Sequence, residues 1–328
     1  MACPTMISIY GTVFNSAKTI RKSIITLIEA LPDFCEEYEL IIVDNYSTDG
    51  TDKIIGDFTA TYKNIKLIRT RCSRGRGRDI ALKNTTGDYV FYVDFDDYFK
   101  SQFGRLIDRL RHVCVEKELW GLGFSTRSTA IDRIGGWKDM NFAEDLEYYC
   151  RAIARQIRVK SPLVPNFMIS AKVKGSRERR YSSNTLDFMR RRSEYIIDSI
   201  KGRNLGPSYF VRSKGSRLSF NLLPLIFLSC IFRPMAFRYS KQLTNNQLLY
   251  LKEEYVLPEE IGLPKNWLYK QWDEMKMNAD IVKKRLKELS HQDINCYYDL
   301  ENDRLMIARN PDFLHVELNQ VYETMTYF

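Results

Sequence analysis

The stretch DYVFYVDFDDYF, residues 88–99, runs a strand-like apolar segment straight into three aspartates, Asp94, Asp96 and Asp97. Carboxylates packed this closely repel, and each raises the others' pKa unless a cation neutralises them. One reading is a solvated loop of turn-forming aspartates. The other is a cation site at the end of a buried strand, and the flanking sequence is searched for what else such a cation would hold.

Working outward, the N-terminal half alternates strand and helix. MISIYGTVF (6–14) is rich in β-branched and aromatic residues, and Asn15 or Ser16 then caps a helix with Ile20, Ile24, Leu27 and Leu31 on one face. YELIIVD (38–44) and NIKLIRT (64–70) read as the second and third strands, with a short helix between them. GRDIALKNT reads as a helix and YVFYVD (89–94) as the fourth strand. This order predicts an α/β fold with a mostly parallel sheet flanked by helices. In such a sheet the strand C-termini share one edge, and ligands bind in the crevice outside it. Asp44 and Asn45 follow the second strand, so they are expected to share that crevice with Asp94, Asp96 and Asp97.

The chain has 328 residues, 44% hydrophobic and 13% aromatic, which describes a globular protein with a substantial core. Its seven cysteines are scattered and never form a CxxC pair, which argues against a disulfide framework or a structural zinc and fits a reducing cytosol. Three dispersed histidines suggest no metal centre. No positive leader precedes the first strand, so a cytoplasmic protein is expected. The formal net charge is +9, and residues 172–217 alone, with thirteen Lys/Arg against four Asp/Glu, supply all of it. Such a patch suits an anionic partner.

Farther on, residues 120–156 read as strand, helix, Gly-Gly turn and loop, then a helix opened by Glu144-Asp145. LSFNLLPLIFLSCIF (218–232) is shorter than the roughly 20 apolar residues a spanning helix needs, and reads as an interfacial or buried element. Leu268, Trp272, Met275, Ala279, Val282, Leu286 and Leu289 repeat at spacings of four and three, which predicts an amphipathic helix. NCYYDLENDRLMIAR reads as a hairpin turning near Glu301–Asp303.

Three motifs in order, IIVDNYSTDGT, GRGRDIALKNTTGDYVFYVDFDDYF and RIGGWKDMNFAEDLEYYCRA, resemble the family 2 glycosyltransferases over roughly residues 6–156. The resemblance implies a GT-A, Rossmann-like nucleotide-sugar fold and an inverting transfer from a nucleoside-diphosphate sugar to a hydroxyl. It assigns nucleotide contacts to Asp44 and Asn45, where Asp-Asp is common in the family, and to Thr12 and Asn15. The DxD motif maps to Asp94 and Asp96, with Asp96 on Mg²⁺ or Mn²⁺ and Asp94 facing the ribose or the metal's water shell. Hard divalent cations are typically held by one or two carboxylates plus substrate phosphates. Gly77-Arg78-Asp79 stands where the family has Ala-Arg-Asn, so Arg78 is expected to buttress the diphosphate or the aspartate cluster. The preceding Arg74 and Arg76 read as a solvated basic loop. Glu144-Asp145 matches the family's acidic pair, whose Asp is the general base; Glu144 falls on the donor side. The stretch from Asp94 to Glu144 is shorter than is usual in the family, which leaves the acceptor side to later residues.

Three regions follow from this reading: 1–205 as the GT-A domain, 206–240 as a basic and apolar segment at a membrane interface, and 241–328 as a helix plus hairpin. Arg177 and Arg180 are candidate phosphate contacts, competing with membrane-surface attraction and a solvated helix. A basic segment beside an apolar run tilts the acceptor toward a lipid-linked glycan or glycolipid, with peripheral contact to an anionic membrane on its cytoplasmic face. A polyprenyl-phosphate sugar synthase is the near alternative. A non-catalytic nucleic-acid-binding protein is the distant one, and no nucleic acid is expected.

Overall fold

The computed structural model describes residues 6–170, 184–203, 227, 230–235, 253–273, 295–299 and 304–310. The first half follows the expected alternation. Strand β1 (Ile7–Val13) leads to α1 (Ile20–Ala30), a short α2 (Phe34–Glu37) and β2 (Tyr38–Asp44). Then come α3 (Thr51–Thr61), β3 (Ile65–Arg69), α4 (Arg74–Lys83), β4 (Tyr89–Tyr92), β5 (Asp97–Phe99) and α5 (Gln102–Val113). After β6 (Glu118–Trp120) and β7 (Ser125–Thr126), a π-helical turn at Thr129–Ile134 precedes α6 (Glu144–Ala154). Strands β8 (Arg158–Pro162) and β9 (Met168–Ser170) are followed by the helix α7 (Thr185–Arg203).

The central sheet has the order β3-β2-β1-β4-β7, parallel except for β7. Its strands are apolar on both sides because both sides are covered. In β1, Ile7, Ile9 and Val13 face one cluster and Tyr10 the other; in β2, Leu40 and Ile42 alternate with Ile41 and Val43 in the same way. The period-two pattern thus splits one strand between two cores. Register fixes the functional edge: Val13 pairs with Asp44, and Asp44 with Arg69, so the three strands end side by side.

The C-terminal part departs from the expected helix plus hairpin. β10 (Glu253–Val256) pairs in parallel with β8, which itself pairs with β6, so the later chain is stitched into the first region. β11 (Tyr269–Asp273) is a strand, where the spacing of Leu268 and Trp272 predicts the start of a helix. It pairs with β13 (Arg304–Ala308), the return strand of the expected hairpin with β12 (Asn295–Asp299). Cross-strand pairing overrides the helical spacing there, and Leu268 is buried within the fold. The remaining seam positions, Met275 to Leu289, and Arg177 and Arg180 lie outside the described residues.

Candidate functional site

The crevice outside the sheet's C-terminal edge has a volume of about 250 Å³. Thr12, Val13, Phe14 and Ser16 line it from the end of β1, Asn45 from the end of β2, and Asp94, Phe95 and Asp96 from the end of β4. Cys72, Ser73 and Arg74 add the start of α4, and Asn141 and Phe142 the approach to α6. Arg190, Arg191 and Glu194 close it from α7. Later residues therefore build the wall that the short span between Asp94 and Glu144 leaves open.

Four of the sequence-derived candidates line this space: Thr12, Asn45, Asp94 and Asp96. Thr12 donates its hydroxyl to the Val43 carbonyl at 3.0 Å, and the Asn45 amide oxygen accepts from the Cys72 N–H at 2.9 Å. Asn15 takes a left-handed backbone (φ 50°), which Asn tolerates well, and its side-chain oxygen accepts from the Thr48 N–H at 2.9 Å. It ties the β1 loop to the β2 loop. Asp44 is fully buried behind the edge, where Ser47 donates its N–H and hydroxyl and Arg69 donates its Nε at 3.2 Å. Its carboxylate thus folds the loop that presents Asn45.

Arg78 is the centre of the arrangement. Its side chain is 2% exposed, so it stands beneath the crevice and takes the aspartate-buttressing role. One terminal nitrogen donates to Asp94 at 2.6 Å and the other to Glu144 at 3.1 Å. The guanidinium carbon lies 4.5 Å from the Tyr92 ring centroid and 4.8 Å from that of Trp137. Burial opposes the cation, but the carboxylates of Asp94 and Glu144 more than offset it and hold the pKa above the ordinary arginine range. Glu144, 3% exposed, also accepts from Arg74 at 3.4 Å. It therefore anchors the start of α6 and, expected from the sequence on the donor side, does not itself line the crevice.

Arg74 and Arg76 are not a solvated loop: they form the first turn of α4, whose N-cap Ser73 accepts from the Arg76 N–H at 3.1 Å. Close packing fixes the entry of this helix, since a Cβ on Gly75 would lie 2.0 Å from the Lys138 carbonyl oxygen. Asp79, which stands in place of the family's Asn, accepts from the Trp137 N–H at 3.1 Å and pairs with Lys83 at 2.8 Å. It holds the turn that delivers Trp137. That turn needs Gly136, whose φ is +66° and whose missing Cβ would sit 2.2 Å from Asp79 Oδ1. Gly136→Ala is accordingly expected to cost about 2 kcal/mol or more of stability, read as a lowered urea midpoint.

Asp145 begins the exposed face of α6 one residue beyond the buried Glu144. Its Oδ1 accepts from the Leu146 N–H at 2.8 Å, and its charge contributes to the fields at both Arg78 and Tyr92. The first turn of a helix favours the ionised carboxylate. Burial, followed by the charge of Asp139, pushes the Cys72 thiol up to about 11, so it contributes an uncharged wall.

The donor set suits a hard divalent cation. Asp94 and Asp96 face the same space, and among the described residues the Asp96 carboxylate accepts no hydrogen bond and joins no ion pair. No third His, Cys, Asp or Glu converges with them among the described residues, which matches ions held by one or two carboxylates plus substrate oxygens. Sequence reasoning missed Tyr92 and Trp137, whose edge-on ring pair lies against the Arg78 guanidinium, and the α7 residues Arg190, Arg191 and Glu194.

Residues 8–116 match the family model for glycosyl transferase family 2. The chain is 38% identical over 100 residues to a poly(ribitol-phosphate) beta-glucosyltransferase of Bacillus spizizenii, covering 29% of this chain and 16% of that one. It is 32% identical over 99 residues to the poly(ribitol-phosphate) beta-N-acetylglucosaminyltransferase TarS of Staphylococcus aureus, covering 29% of this chain and 17% of the relative. The chain thus spans well under half the length of these curated relatives. The crystal structure of S. aureus TarS residues 1–349 with UDP-GlcNAc aligns at a TM-score of 0.50 and 16% identity, over 75% of this chain and 86% of that one. That likeness shows a shared glycosyltransferase fold of the GT-A type.

Proposed function

We propose that the chain is an inverting glycosyltransferase that moves a sugar from a nucleoside-diphosphate sugar to a hydroxyl acceptor. The observation that carries this reading is the single buried guanidinium of Arg78, which joins the Asp94 loop to the start of the helix bearing Asp145. A donor-holding group and the first turn of the helix that bears the candidate base are thereby tied together.

In this reading the nucleoside lies along Thr12, Phe14 and Asn45, and the diphosphate points to Asp94 and Asp96. A bound Mg²⁺ or Mn²⁺ supplies positive charge that offsets the charge developing on the diphosphate leaving group. Arg78 holds the Asp94 carboxylate toward the crevice. Asp145, at the helix start, takes the acceptor hydroxyl proton as the new bond forms. One base on the face opposite the leaving group gives a single displacement, hence inversion. The buried Glu144 leaves the acidic pair only one solvent-reachable carboxylate.

Arg74, Arg190 and Arg191 place three guanidinium groups around the crevice, which supports an anionic acceptor such as a lipid-linked glycan or a phosphate-bearing polymer. The poly(ribitol-phosphate) acceptors named for the two relatives are of that type. The test is a panel of nucleotide sugars with Mn²⁺ or Mg²⁺, read by diphosphate release with hydroxyl-bearing acceptors and by thermal shift. Stabilisation by one donor class and release that depends on acceptor are expected. Indifference to every common donor would overturn the proposal.

A further inference from the structure

Helix α7 carries different chemistry on its two sides. Toward the body of the protein, Tyr195 packs edge-on against Phe142 with ring centroids 5.4 Å apart, and Asp198 accepts from the Asn141 and Phe142 N–H groups. Arg191 and Glu194 reach the crevice from this side. Leu186 and Met189, one helical turn apart, point away and are 79% and 60% exposed. A second apolar set follows in the segment 227–235, where Phe227, Ile231 and Met235 are 66%, 44% and 61% exposed. The two sets are neighbours, because the Lys201 ammonium lies 5.5 Å over the Phe232 ring.

Single exposed apolar side chains are ordinary, and Met6, Ile25 and Val115 are of that kind. A cluster drawn from two adjoining segments marks a contact surface. Its setting indicates the partner. Residues 172–217 hold the whole net charge of +9, and the remainder of the chain is neutral. Leu186 and Met189 share α7 with Arg190, Arg191 and Lys201, and Arg233 adjoins Ile231; exposed apolar side chains with cations beside them match the interfacial helices that sit in the headgroup layer of anionic bilayers. A nucleic acid has no use for the apolar residues, and a second copy would set two cationic segments against each other. No helix among the described residues is long and apolar enough to cross a membrane, so the contact lies along the surface.

We infer that Leu186, Met189, Phe227, Ile231 and Met235 form a face that docks on an anionic lipid bilayer. Because α7 also walls the crevice, docking sets the crevice mouth beside the headgroups, where a lipid-anchored acceptor presents itself. The inference stands on the exposed face and its charge, and it is independent of the transfer reaction.

The test is co-sedimentation of the full chain with phosphatidylcholine vesicles with and without phosphatidylglycerol, at low and high salt. The chain is expected to bind the anionic vesicles and to be released by salt. Leu186→Glu/Met189→Glu should weaken that binding about tenfold or more, since it removes inserted apolar area and adds like charge to the lipid. Phe227→Glu, on the other segment, should weaken it as well. Both variants should keep the parent's melting temperature and donor thermal shift, because none of these residues lines the crevice. Equal binding to neutral and anionic vesicles, binding unchanged in the variants, or no binding by the parent overturns the inference. A dimer by light scattering that the variants dissolve also overturns it, and assigns the face to a second copy.

Discussion

Asp145→Asn is expected to lower the rate of sugar transfer by about 10²–10⁴-fold while the donor binds as it does to the parent, because in the proposed reaction the substitution removes the base and nothing that touches the diphosphate. The neighbouring carboxylates separate this effect from general damage to the helix. Glu144 is buried and bonded to Arg78 and Arg74, so Glu144→Gln acts through stability. Asp145 is exposed and its Oδ1 is bonded only to the adjacent Leu146 N–H among the described residues, so the amide is accommodated without unfolding. The measurement is a pair of titrations, initial rate against acceptor and calorimetric binding of donor, on the same preparation. Retention of most of the activity in Asp145→Asn would favour an acceptor that needs no base, such as a polyprenyl phosphate, over a hydroxyl.

Arg78→Met produces the largest loss of stability in the site, about 3–5 kcal/mol, since removing one partner of a buried ion pair strands the other charge in a poorly solvated place. Glu144, 3% exposed, would keep only the longer contact to Arg74, and Asp94 would lose its 2.6 Å anchor. Lysine is a poor replacement. One ammonium cannot bond two carboxylates along separate directions and also cover the adjoining Tyr92 and Trp137 rings. Arg78→Lys is therefore expected to recover part of the stability but little of the donor affinity. Denaturant melts report the first and calorimetry the second. A merely structural arginine would recover both together.

The strand-and-helix order was legible because each strand reads as a short apolar run ending in polar residues, and parallel topology then gathers those ends. This is why Asn45, Asp94 and Asp96 were legible at one edge from strand order alone, whereas Thr12 came from the resemblance. Composition misled at residues 74–76, where alternating Arg and Gly reads as loop. Ser73 as N-cap and the tight packing of Gly75 on the 138–140 backbone make it a helix. The partners of Arg78 were half legible. Glu144 and Asp94 stood out as acids, but Tyr92 and Trp137 look like ordinary core aromatics, and only the fold brings the pair against a guanidinium. The α7 wall could not be read at all. Its approach to the crevice depends on Asp198 accepting from the 141–142 backbone, a contact between residues far apart in sequence.

The proposed function has Asp94 and Asp96 holding the donor's diphosphate through a divalent cation. The most direct measurement is calorimetric titration of the nucleotide-sugar donor into the parent chain and into Asp96→Asn, each with Mn²⁺ and again with chelator. The account predicts tight binding only for the parent with metal, and equally weak binding in the other three titrations. Donor affinity that survives both the chelator and the substitution would contradict it.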